Sequence, residues 1–119
     1  MNKLFLPFEL ATKLKEKGFA EDCLGFFTKE GKLVISVLGA TSDVETPTPL
    51  YQQVIDWFDE KHRIRIYTKP TVGGNFTYGV YTWLGGAAGW EQHTGIVEKS
   101  FNTNNEAMEY AIEKSLELI

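Results

Sequence analysis

The chain has 119 residues, 43% hydrophobic and 24% charged, with 12 basic against 16 acidic residues and a formal net charge of -4. This is ordinary globular composition, and a chain of this length forms one domain (1–119) that buries roughly two-thirds of the surface its unfolded form exposes, so neither a metal nor a disulfide is needed to explain its stability. Cys23 is the only cysteine, which excludes a disulfide within the monomer and fits a reducing compartment, the cytoplasm by default. No stretch approaches the roughly 20 apolar residues needed to cross a bilayer.

The opening Met1-Asn2-Lys3-Leu4-Phe5-Leu6-Pro7-Phe8 starts like a secretion signal. Its apolar run is short, Pro7 interrupts it and Glu9 follows without a small-residue cleavage site, so export is not expected. The first helix is predicted over 7–17, with Pro7 in the first turn, Leu10, Ala11 and Leu14 on one stripe, Gly18 as the stop and Phe19 packing back as the C-terminal contact. Residues 23–28 and 33–38 are apolar and rich in β-formers, and Lys29-Glu30-Gly31-Lys32 supplies the glycine that a short hairpin loop needs. Residues 39–48 read as a loop because Pro47 and Pro49 are spaced against any regular element. A second helix is predicted from there to about residue 61, with Thr48 as its cap, Pro49 in the first turn and Leu50, Val54, Trp57 and Phe58 on a broad apolar stripe.

Arg63-Ile64-Arg65-Ile66-Tyr67 alternates with period 2, the pattern of a strand with one face buried and one wet, and here Ile64 and Ile66 point inward. Residues 69–75, with Pro70, Gly73 and Gly74, turn the chain into an aromatic strand over 76–83. Residues 84–95 hold four glycines and read as a flexible connection to a last strand around 96–101. Thr103-Asn104-Asn105-Glu106 is a capping box, and Met108, Ala111, Ile112, Ser115, Leu116 and Ile119 follow helical spacing. The expected fold is α+β, in the order α-β-β-α-β-β-β-α, with an antiparallel sheet of about five strands and three helices mainly on one face.

Three stretches carry a resemblance. They are residues 8–19, opening Phe8-Glu9-Leu10-Ala11-Thr12-Lys13 and closing Gly18-Phe19; residues 46–62, with Thr46-Pro47-Thr48-Pro49-Leu50-Tyr51 and Val54-Ile55-Asp56-Trp57-Phe58; and Asn105-Glu106-Ala107-Met108 in the last helix. Together they resemble small uncharacterised proteins of gut anaerobic bacteria and their phages. That family has no assigned activity or catalytic residues, so the resemblance implies a phage or mobile-element context and no mechanism.

The residues capable of chemistry do not assemble into a catalytic constellation. Cys23 follows Glu21 and Asp22 and opens an apolar strand, a setting that raises a thiol pKa where a nucleophile needs it lowered. His62, at the end of the second helix, reads as a cation-capable side chain favourable at a helix C-terminus. His93 lies in the glycine-rich connection beside Glu91, a pair that could in principle serve acid–base chemistry, but two histidines without a further ligand cluster make no zinc site. Gly85-Gly86-Ala87-Ala88-Gly89 lacks the lysine and hydroxyl of a phosphate-binding loop and reads as a hairpin loop. Asp56, Asp59 and Glu60 read as a solvated helix face. No catalytic residue, cofactor or metal is expected.

Charge distribution says more. Residues 61–101 carry five Lys/Arg and two Asp/Glu, a local +3 inside an acidic chain. Arg63, Arg65 and Tyr67 share a parity, and the neighbouring strand sets beside them either Tyr78 or Tyr81 and Trp83. Tyr, Trp and Arg dominate protein-binding hot spots. The expected function is therefore a non-catalytic protein-binding or self-associating module, including a homodimer, whose surface is Arg63, Arg65, Tyr67, Tyr81 and Trp83. Single-stranded nucleic acid is the alternative partner, since cations interleaved with rings suit stacking and phosphate neutralisation. A small hydrolase using His93 and Glu91 is the third reading, and no membrane partner is expected.

Overall fold

The computed structural model describes residues 4–35, 46–92 and 100–119. Their elements run α1 (Phe8–Glu16), β1 (Gly25–Phe27), β2 (Leu33–Ile35), β3 (Thr46–Thr48), α2 (Tyr51–His62), β4 (Ile64–Pro70), β5 (Phe76–Gly85), β6 (Gly89–Gln92) and α3 (Asn104–Leu116). The class is α+β, as expected. The single sheet of about five strands is corrected to two antiparallel three-stranded sheets, ordered β2-β1-β3 and β4-β5-β6, and the element order gains a strand before α2. Two compact units contain them, Met1–Val54 and Ile55–Ile119.

In the first unit, α1 buries Leu10, Ala11 and Leu14. It stops where the sequence says it should. Gly18 takes φ +101, its N–H donates to the Lys15 carbonyl and the Phe19 N–H to the Leu14 carbonyl, both at 3.1 Å. These paired bonds satisfy carbonyls that the helix end would otherwise orphan. The hairpin of β1 and β2 turns at Gly31, φ +83, with Phe27 opposite Leu33. β3 lies on the other side of β1, in a stretch whose prolines predict a loop, and Phe26 stands opposite Pro47. Proline is admitted because β3 is at the edge of its sheet, where a missing N–H need not break a ladder. Residues 36–45, which hold the end of the strand expected over 33–38 and most of the loop expected over 39–48, lie outside the described residues.

Thr48 does not cap α2. It closes β3, fully buried, and its hydroxyl donates to the Leu6 carbonyl at 2.7 Å. Leu6 N–H in turn donates to the Pro49 carbonyl at 3.1 Å, and Phe5 bridges Leu50. The stretch Leu4-Phe5-Leu6, which starts like a signal, thus supplies two core side chains, Phe5 and Leu6. Gly25 is obligatory beside them, because a Cβ there would lie 2.7 Å from Phe5 Cδ1 and 3.0 Å from Thr48 Cγ2.

In the second unit, α3 packs along β4 and β5. It buries Ala107, Ala111, Ile112, Ser115 and Leu116, with Ile64, Ile66 and Val80 buried on the sheet. Each large aliphatic side chain so buried contributes about 1.5–3 kcal/mol. The Thr103 hydroxyl accepts from the Glu106 N–H at 3.1 Å, so the cap read from the sequence forms. The supposed flexible connection is instead a second hairpin of this sheet. β5 continues to Gly85 and turns back through Gly86–Ala88 into β6. The strand expected over 96–101 contributes a bridge from Phe101 to Phe76, and residues 93–99 lie outside the described residues.

Candidate binding surface

α2 ends at His62, and Arg63 reverses the chain into β4 with φ +55. A left-handed conformation costs a non-glycine residue about 1–2 kcal/mol. Here it is held by a neighbour's hydrogen bond, Trp83 N–H donating to the Arg63 carbonyl at 3.1 Å. From Ile64 onward the pleat alternates, so Ile64 and Ile66 are buried while Arg65 and Tyr67 are exposed.

Register then decides what stands beside them. Arg65 is opposite Tyr81 and Tyr67 opposite Gly79 on β5, while Tyr81 is opposite Gln92 and Trp83 opposite Trp90 on β6. Arg65, Tyr67, Tyr81 and Trp83 therefore come together on one face of β4-β5-β6, and Arg63, just ahead of β4, joins them by lying over the Trp83 ring. Tyr78, the other candidate, lies on the opposite face with its ring centroid 5.1 Å from that of Tyr110 on α3.

The face is built of stacked pairs. Arg63 Cζ lies 5.5 Å from the Trp83 ring centroid and Arg65 Cζ 4.5 Å from that of Trp90. The two indoles are 5.2 Å apart and tilted by 57°. Tyr67 and Tyr81 are stacked at 5.6 Å and 18°, with their hydroxyls 3.3 Å apart. Tyr67 reaches that position by lying across Gly79, where its ring occupies the space a Cβ would take. Exposed cation–ring contacts of this kind contribute about 0.5–1 kcal/mol each. Asp59 on α2 sets Oδ1 3.5 Å from Arg65 Nε, with the arginine side chain 61% and the aspartate 42% exposed. So open an ion pair contributes about 0–1 kcal/mol.

Two members were missed by sequence reasoning. Trp90 stood in the glycine-rich stretch assigned to a connection, and a signal was there, since Trp83 and Trp90 flank the glycines as hairpin partners do. Gly79 interrupts an aromatic strand, which marks a close approach of another group.

The other residues capable of chemistry have their own local settings. Cys23 is buried, its thiol donating to the Glu21 carbonyl at 3.4 Å. Burial first, and then the Glu21 and Asp22 charges, push it up to about 11. His62 sits in the last turn of α2 against the Trp57 ring, centroids 4.7 Å apart. Glu91 is an exposed residue of β6, and His93 lies outside the described residues. Gly85, Gly86 and Gly89 take φ +89, +49 and +68 as the turn between β5 and β6. Asp56 and Glu60 are exposed on α2. Among the described residues, no group of three or more His, Cys, Asp or Glu is arranged to hold a metal ion, and no helix is long and apolar enough to cross a membrane. No family model, curated protein or solved structure matches the chain.

Proposed function

We propose that the protein is a cytoplasmic, non-catalytic binding module whose contact surface is the outer face of β4-β5-β6, formed by Arg63, Arg65, Tyr67, Tyr81 and Trp83 with Trp90 added. One observation carries the reading. The pairing of Arg65 with Tyr81 and of Trp83 with Trp90 gathers two arginines and four aromatic rings on the side of the sheet away from α3. These are the residue types that concentrate binding energy, because large rigid rings bury area at low entropic cost and guanidinium groups offer directed donors. A phage or mobile-element role rests on the sequence resemblance.

The test is substitution of Arg65 and Tyr67 by alanine, followed by partner capture and thermal melting. Capture is lost and the melting temperature nearly unchanged, because both side chains are exposed. Retained capture sinks the surface. A homodimer through this face is read from the solution mass by light scattering after size exclusion. The alternative, single-stranded nucleic acid, is supported by the interleaving of cations and rings. It predicts tryptophan quenching by an oligonucleotide that weakens steeply with salt, and a flat titration at low salt removes it.

A further inference from the structure

If the outer face is the binding surface, a reading on which this inference rests, its chemistry narrows its occupant. Arg63 and Arg65 are two residues apart, so their Cα atoms are about 6–7 Å apart, the repeat of alternate side chains along any extended chain. Each guanidinium lies over an indole, Arg63 over Trp83 and Arg65 over Trp90. One face of each indole is therefore covered by a cation, which leaves less ring surface for stacking nucleobases. The planar fork of each arginine instead offers N–H donors suited to a carboxylate.

The molecule already displays this pairing. Asp59 Oδ1 approaches Arg65 Nε through a single long contact of 3.5 Å, short of the two-point geometry a carboxylate can adopt. The chain's net charge of -4 and its acidic closing segment oppose a polyanion. They oppose a short segment with a few matched carboxylates far less. A second copy docked face to face would bring four guanidinium groups into one interface, since a twofold contact sets the same patch on both sides.

We infer that the outer face of β4-β5-β6 binds an extended acidic peptide, alternate carboxylates of which pair with Arg63 and Arg65 while a neighbouring side chain packs on Tyr67 and Tyr81. Asp59 is the internal competitor for Arg65.

The test titrates three labelled probes into the full chain by fluorescence anisotropy. They are a peptide of alternating glutamate and threonine, its counterpart with glutamine for glutamate, and oligo-dT of matched length. The glutamate peptide binds saturably and the glutamine peptide at least about tenfold more weakly. The double variant Arg63→Gln and Arg65→Gln, checked for native circular dichroism, loses at least about tenfold as well. Asp59→Asn tightens the glutamate peptide by about two- to fivefold, the converse of what a merely structural ion pair would do. Equal binding of the two peptides overturns the inference and leaves the binding reading standing. Binding of oligo-dT alone overturns it in favour of nucleic acid, and binding of none of the probes overturns it outright. Failure of the binding reading itself shows separately, as partner capture untouched by alanine at Arg65 and Tyr67.

Discussion

Gly79→Ala separates the stability of the second sheet from the integrity of its outer face. The added methyl group falls where the Tyr67 ring lies, against Cε1, Cζ and the hydroxyl. These atoms are the far end of a side chain that is 36% exposed, so the ring swings away and the backbone stays. The displaced ring loses its stack on Tyr81, about 0.5–1.5 kcal/mol. Replacing a strand glycine by alanine returns about 0.5–1 kcal/mol through reduced freedom of the unfolded chain. The two terms nearly cancel. The net change in unfolding free energy is within about 1 kcal/mol, equivalent to a melting shift of at most about 4 °C for a chain of this size. Urea unfolding followed by far-UV circular dichroism measures it, and capture of a partner or of the acidic peptide measures the face. The expected result is a variant of near-native stability with weakened binding. Destabilisation beyond about 2 kcal/mol would refute the reasoning, because it would mean that Tyr67 is pinned and the strand has to move. Undiminished binding would show that the Tyr67–Tyr81 pair is no part of the contact.

The same substitution in the first unit has the opposite outcome. At Gly25 the new Cβ meets Phe5 and Thr48, both buried, and Thr48 is further tied to the Leu6 carbonyl. Overpacking of about 1–3 kcal/mol plus a strained buried hydrogen bond of about 0.5–1.5 kcal/mol, less an entropic return of about 0.4–1 kcal/mol from removing a glycine, gives about 0.5–4 kcal/mol of destabilisation. Far-UV circular dichroism is the right probe, because all three tryptophans lie in the second unit, and a loss below about 0.5 kcal/mol would contradict the packing described. The Cys23 thiol, raised from 9.0 to about 11, is about 0.1% thiolate at pH 8, so it reacts with a disulfide reagent roughly a hundredfold more slowly in the native protein than in urea. Since the folded value lies above the unfolded one, the thiol's contribution to stability is present below pH 9 and is lost as pH rises towards 11. Rapid native labelling at pH 8 would contradict it.

The sequence by itself determined the features that short-range physics decides. Gly18 and Phe19 ended α1, Thr103 capped α3 and the Arg63–Tyr67 alternation set Ile64 and Ile66 inside with Arg65 and Tyr67 outside, each through contacts no more than a turn or a pleat away. Gly31 likewise placed the first hairpin. Only the tertiary structure decided which distant segments pair. Thr46-Pro47-Thr48 joins β1 because an edge position forgives its proline, and Thr48 then bonds Leu6, 42 residues away, in place of capping the helix that comes after it. The same holds for the candidate surface. Its β4 side was legible from period 2, whereas the choice of Tyr81 over Tyr78, the arrival of Trp90 and the seat that Gly79 offers Tyr67 all depend on register. A shift of one residue would carry every ring to the other face, and no local pattern in β5 distinguishes the two.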